Sequence, residues 1–254
     1  FAPMTKMVVT SDHVVGIPEC ICGAFRMSAT GGPGPVLLSV PMKTLRAQQG
    51  FSEGDWRVDT SYARWPANRP VPPADEIDAA ISRLFAADRP IIFAGGGVIA
   101  SGAMDEVKAL AELMDMPVAT SYMGKGSIPE THPLALGPYG LLGRPATNDY
   151  VLKSDFGLAL GTRFNNVGTA AWRIPDPSTS LVQVDIEPTQ LGRTYKVDLA
   201  LTGDLKAVLS AMLDKLQNDP RRKAKTTQRD AVSALSAAWR RENGIESDLA
   251  KDDN

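Results

Sequence analysis

Gly95-Gly96-Gly97-Val98-Ile99-Ala100 carries the spacing G-x-G-x-x-[G/A] directly after the apolar run Pro90-Ile91-Ile92-Phe93-Ala94. Glycine at such a strand-to-helix turn lets backbone N–H groups approach a pyrophosphate, assisted by the positive end of the next helix. The same glycines also suit any tight turn, and spacing alone leaves both readings open. A nicotinamide dinucleotide needs an acidic residue ending the second strand, about 20 residues on. That strand ends here in Thr120-Ser121-Tyr122, with Asp115 before it, so ordinary NAD use is disfavoured. Arg163, in Gly161-Thr162-Arg163-Phe164-Asn165-Asn166, also follows a strand, where a guanidinium suits a phosphate or pairs with an acid. Asp185, in Val184-Asp185-Ile186-Glu187-Pro188, stands at a third strand end, able to accept ribose hydroxyls or to cap the following turn. His132 lies in Glu130-Thr131-His132-Pro133 and reads as a turn residue, while His13 has no serine or cysteine nucleophile context. Cys20 and Cys22 fall on opposite sides of a predicted helix and read as core packing.

The elements that must position these residues divide into zones. From Phe1 to about Leu45 the pattern predicts a strand ending near Val8-Val9 and a helix from Pro18 to Ala29. After a Gly/Pro turn a buried strand follows, Val36-Leu37-Leu38-Ser39-Val40. These few elements need a sheet they do not supply. Residues 46–73, with Trp56, Trp65 and a cluster of prolines, read as a linker. Residues 74–217 alternate strands with amphipathic helices. Helices are expected over 75–87, 103–115, 146–153 and 204–216, and strands over 90–94, 117–120, 156–160, 181–186 and 199–201. A long Gly/Pro loop runs through Gly124, Gly126, Pro129, Pro133 and Gly137. Such βαβ alternation implies a doubly wound, Rossmann-like α/β domain with a parallel sheet covered on both faces. Residues 218–254 read as a linker with a basic run, Arg221 to Lys225, and a short helix over 231–241.

Composition narrows the function classes. The 254 residues carry 27 basic and 29 acidic side chains, a net charge of −2, which gives no pull toward nucleic acid or anionic membrane. No apolar run reaches about 18 residues, so no spanning helix is expected. Two cysteines and two histidines make a structural zinc site or a disulfide framework improbable, and a reducing, cytoplasmic setting is expected. The start on Phe1 and the polar end Lys251-Asp252-Asp253-Asn254 suggest a piece of a longer protein.

Taken in order, several motifs resemble thiamine-diphosphate-dependent enzymes of the acetolactate-synthase-like group. They are Arg89-Pro90-Ile91-Ile92-Phe93-Ala94-Gly95-Gly96-Gly97, Pro117-Val118-Ala119-Thr120, Gly124-Lys125-Gly126-Ser127-Ile128-Pro129, His132-Pro133-Leu134, Leu160-Gly161-Thr162-Arg163-Phe164, Val184-Asp185-Ile186-Glu187-Pro188 and Gly203-Asp204. Thr5-Lys6, Ala24-Phe25 and Gly34-Pro35-Val36-Leu37-Leu38-Ser39-Val40-Pro41 resemble the end of that group's pyrimidine-binding domain. The resemblance spans Phe1 to about Leu216 and implies a partial pyrimidine-binding domain followed by the central domain. It implies an enzyme that decarboxylates a 2-oxo acid and transfers or releases the resulting carbanion equivalent, using thiamine diphosphate and Mg2+ as a homodimer or homotetramer.

The family's activating glutamate is expected upstream of Phe1, and its Gly-Asp-Gly metal–diphosphate motif, which this chain does not contain, beyond Asn254. The chain alone is therefore expected to be inactive, with no catalytic residue of its own. In the acetolactate synthases the central domain binds FAD. The resemblance assigns that role here to Gly96, Gly97, Met123, Gly161, Arg163, Asp185, Ile186 and Asp204. Two motifs depart from that pattern. The family's Gly-Met-His-Gly reads Gly137-Pro138-Tyr139-Gly140, and Arg-Phe-Asp-Asp-Arg reads Arg163-Phe164-Asn165-Asn166-Val167. Relatives in the decarboxylase and carboligase branches use no flavin. Two other readings compete: a stand-alone nucleotide-binding Rossmann-like module, and a non-catalytic scaffold domain.

Overall fold

In the computed structural model, residues 1–56, 59–221 and 228–243 are described, and they form two compact units, Phe1–Arg69 and Pro70–Asn254. In the first unit β1 (Met7–Thr10) and β2 (Val36–Ser39) pair in parallel, Met7 opposite Val36 and Thr10 opposite Ser39. The helix α1 (Ile17–Ala29) makes the crossover, and a single turn, α2 (Met42–Leu45), follows. Pro18 opens α1, where a missing N–H costs nothing, and Glu19 lies in the first turn, where its charge complements the helix dipole. Apolar side chains that such a unit ordinarily hides stay exposed, among them Val8, Ile21, Phe25, Met42 and Leu45. Cys20 and Cys22 are only partly covered, so the expectation that both pack in a core is not met. Part of the expected 46–73 linker packs instead into this unit. Trp65 Nε1 donates to Gly31 O at 2.9 Å, Ala67 N donates to Ala29 O at 3.3 Å, and Arg26 lies over the Tyr62 ring. Trp65 and Tyr62 supply apolar surface that a solvated linker would not carry.

The second unit is built on a six-stranded, all-parallel sheet, in the spatial order β5-β4-β3-β6-β7-β8. The strands are β3 (Pro90–Ala94), β4 (Val118–Thr120), β5 (Ala135–Pro138), β6 (Phe156–Leu160), β7 (Ser180–Asp185) and β8 (Leu199–Thr202). The helices are α3 (Ala74–Ala86), α4 (Gly96–Ser101), α5 (Met104–Met114), α6 (Pro145–Leu152), α7 (Leu205–Gln217) and α8 (Arg229–Glu242). The sheet separates two apolar layers, and the period-2 geometry of strands sorts side chains between them. Ile92, Leu158, Leu160, Val182 and Val184 pack on one face with Ile77, Leu84, Leu110 and Leu209. Ile91, Phe93, Ala159 and Leu181 pack on the other with Tyr150, Val151 and Val232. This is the doubly wound α/β fold the alternation predicts.

Three elements differ from the sequence expectation. The glycine turn continues as α4 before the helix expected from residue 103. The Gly/Pro loop through Gly124, Gly126, Pro129, Pro133 and Gly137 contains β5, an edge strand. Pro138 and left-handed Gly137 (φ 84°) hide its strand character, and an edge tolerates both because one side needs no ladder bonds. The helix expected over 231–241 is longer, and far from being linker it packs on β5. Val232 is fully buried there and Ser236 Oγ donates to Ala135 O at 2.5 Å. Most of the basic run from Arg221 to Lys225 lies outside the described residues; Arg221 itself pairs with Asp219.

Candidate functional site

The chain leaves β3 for β4 and β5 on one side, then returns to β6, β7 and β8 on the other. The order therefore reverses between β3 and β6. In open α/β sheets ligands bind outside the carboxyl ends of the strands at such a switch point. The Gly95–Gly97 turn and Gly161–Thr162 stand at this crest.

The glycines hold the two turns against each other. Gly97 N donates to Gly161 O at 3.1 Å, and Gly95 N to Leu160 O at 2.8 Å. A Cβ on Gly97 would come within 2.7 Å of Gly161 Cα, and one on Gly95 would overlap the Gly161 carbonyl. Gly161 itself has φ 55°. Gly124, closing the turn after β4, leaves no room for a Cβ beside the Ala94 carbonyl. The Gly97 N–H is thus engaged with Gly161 rather than free to point outward. Gly96, partly open, faces Met123, whose Cβ would lie 3.1 Å from an added Cβ.

Asp204 also differs from its expected ligand role. Only 1% exposed, it caps α7 by accepting the Ala207 N–H at 3.2 Å and accepts the Ser101 hydroxyl at 2.8 Å. Asp185 divides its carboxylate. Oδ1 accepts the Glu187 N–H at 2.9 Å, the turn-capping role that spacing left open. Burial pushes its carboxyl up, against the pull of the Glu187 N–H and the nearby Arg163 charge. Arg163 is exposed beside it, and Ile186 is half-buried. Met123 is 72% exposed. Gln183 ties the following loop down, donating to Thr162 O at 3.1 Å and accepting the Gly192 N–H at 2.9 Å. His132 is a turn residue as expected, bonded to Glu112 at 3.0 Å and accepting the Leu134 N–H.

Spacing gave no signal for several crest residues. Tyr122, Leu141, Leu142, Val167 and Trp172 are large, apolar and exposed along the same end of the sheet. Ala170, Ala171 and Trp172 are consecutive left-handed residues (φ 48°, 60° and 59°), a conformation costing about 1–2 kcal/mol per residue. Neither alanine nor tryptophan announces such a turn. It is held by Ala171 N donating to Asn166 O and Trp172 N to Thr169 Oγ1. Tyr139 is buried under the crest. Its ring meets Phe93 edge-on, and its hydroxyl, 3.3 Å from Thr162 Oγ1, is pushed up to a pKa of about 12 by burial. Thr120 Oγ1, buried at the end of β4, has no hydrogen-bond partner among the described residues. A buried hydroxyl in that state is costly.

Gly96, Met123, Arg163, Asp185 and Ile186 thus stand beyond the carboxyl ends of the strands, while the Gly97 N–H and the Asp204 carboxylate are engaged within the domain. Among the described residues no group of three or more His, Cys, Asp or Glu could hold a metal ion, and no helix is long and apolar enough to cross a membrane.

Residues 77–212 match the central domain of thiamine pyrophosphate enzymes. The chain belongs to that family. It is 36% identical over 215 residues to a probable acetolactate synthase large subunit of Methanocaldococcus jannaschii, covering 84% of this chain and 36% of that protein. It is 34% identical over 216 residues to a glyoxylate carboligase of Escherichia coli O157:H7, covering 85% of this chain and 35% of that one. The crystal structure of benzoylformate decarboxylase from Polynucleobacter necessarius shares the fold, with a TM-score of 0.67 at 22% identity over 84% of this chain and 38% of that one. The chain thus spans about a third of the length of the curated relatives it matches.

Proposed function

We propose that this chain is the central-domain portion of a thiamine-diphosphate-dependent enzyme that decarboxylates a 2-oxo acid and joins or releases the resulting fragment, as its synthase and carboligase relatives suggest. The observation that carries this reading is the family match over residues 77–212, running with the acetolactate synthase and carboligase likenesses through most of the chain. Thiamine diphosphate supplies the electron sink for such chemistry. In this reading its Mg2+ and diphosphate would be held by the Gly-Asp-Gly motif that the family resemblance expects and this chain does not contain. The same reading makes the enzyme a cytoplasmic homodimer or homotetramer acting on a small 2-oxo acid.

The central domain's own part would be to hold a nucleotide such as FAD on the crest. Arg163 would offset phosphate charge, and the Asp185 carboxylate would accept ribose hydroxyls. Gly96, Met123 and Ile186 would line the ligand. The committed Gly97 N–H and the buried Tyr139, in the position of the family's histidine, argue for contact along the crest rather than within the glycine turn. FAD titration followed by flavin fluorescence tests this part. Arg163→Ala should weaken binding by about tenfold or more, the loss of one charged hydrogen bond. Unchanged affinity in that variant would place the nucleotide elsewhere.

A further inference from the structure

The helix α8 buries only Val232 and Ser236, and a helix of this length is marginal by itself. It is held at both ends by residues distant in sequence. Asp115 ends α5 in a left-handed conformation (φ 53°). Its carboxylate then caps α8, accepting the Gln228 N–H at 2.5 Å and the Arg229 N–H at 3.3 Å, while Arg229 Nε lies 3.3 Å from the other oxygen. Gln228 is fixed in turn by the Tyr150 hydroxyl. At the far end the Trp239 ring covers the Arg144 guanidinium, 3.7 Å from ring centroid to Cζ.

Arg144 fastens the loop that leads from β5 to the crest. Its N–H donates to Pro138 O at 2.9 Å, closing residues 138–144 into one turn. Its buried guanidinium bonds Glu130, reaches Leu136 O at 3.4 Å, and occupies the space above Gly137 that a Cβ would need. The loop so closed carries Tyr139 into the core and Leu141 and Leu142 to the crest, where Leu141 N donates to Val167 O at 2.8 Å. One face of Arg144 is thus set by the crest loop and the other by α8.

We propose that α8 is a strap that positions the crest loop: Asp115 seats its first turn, and Trp239, pressing on Arg144, transmits its position to residues 138–144. Trp239 and Asp115 are positioning residues in this scheme. A displacement of α8 loosens residues 138–144 more than β6 or β7, which share with it only the cluster around Val232. The proposal holds whatever ligand the crest takes.

Hydrogen exchange on the whole chain tests it, because the amides of Tyr139, Gly140, Leu141, Gly143 and Arg144 are all hydrogen-bonded and so report local opening. Trp239→Ala should speed exchange over 138–144 by about tenfold, with β6 and β7 unchanged, and Trp239→Phe should restore most of the protection. Asp115→Ala should speed the first turn of α8 and the same loop by about fivefold, the value of one helix cap. Faster exchange confined to α8, or a rise in β6 and β7 equal to that in the loop, would overturn the coupling. Should a variant fail to fold, the wild type in rising urea gives the same answer. Residues 138–144 and α8 should then open together below the midpoint of β6 and β7, and separate openings would contradict the strap.

Discussion

Gly97, Asp185 and Tyr139 show how far residue type alone specifies chemistry. At Gly97 the sequence left two accounts open, because a glycine needed for its exposed N–H and one needed for its missing Cβ look the same in print. The fold selects the second: the turn after β3 packs backbone-to-backbone on Gly161. Gly97→Ala, forced within 2.7 Å of Gly161 Cα, should therefore destabilise the domain by about 1–3 kcal/mol in urea denaturation, with no ligand present. Asp185 was legible as a strand-end carboxylate, but its burial was not. Because burial raises its folded pKa, its ionisation opposes folding as pH rises above the ordinary carboxylate range. Asp185→Asn should thus raise the urea midpoint at pH 7, and the gain should shrink under acid conditions where the wild-type carboxyl is neutral too. For Tyr139 the ordinary value is 10.0 and the folded value about 12, so its contribution is intact below pH 10 and is lost as pH climbs toward 12. Tyr139→Phe should flatten the alkaline fall in stability over that window, measured by circular dichroism, at a cost near neutrality of about 1 kcal/mol for one lost hydrogen bond.

At the scale of elements, periodic segments were the legible ones. Ile77, Ile81 and Leu84 mark α3, and Val107, Leu110, Ala111 and Met114 mark α5, because one helical face must be apolar to be buried. The run Phe156–Leu160 is the buried strand β6 at the predicted bounds, since a central parallel strand hides both faces. β5 was illegible because Gly137 and Pro138 mask an edge strand. The role of α8 was illegible because its seat depends on Asp115, Ala135 and Arg144, which only the folded sheet brings together. Asp204 is best understood at this scale, as the cap of α7 and its tie to Ser101. Asp204→Ala should cost about 1–2 kcal/mol by chemical denaturation, and Asp204→Asn, which keeps a cap acceptor, should recover part of it.

For the whole molecule, the doubly wound unit and the family were both legible, the first from alternation and the second from motifs in a fixed order. The crest's exposed apolar side chains and its left-handed turn were not, because they arise from loop geometry rather than composition. The first unit, with Val8, Ile21 and Phe25 exposed around a two-stranded sheet, is an open surface of the kind that other structure covers. The relatives it matches are about three times as long. The decisive measurement is carbon dioxide release by the whole protein from a panel of small 2-oxo acids, with and without thiamine diphosphate and Mg2+. Release from at least one of them, lost when thiamine diphosphate is withheld, is the expected result of the proposed function. A folded whole protein that neither binds thiamine diphosphate nor releases carbon dioxide from any of them would contradict it.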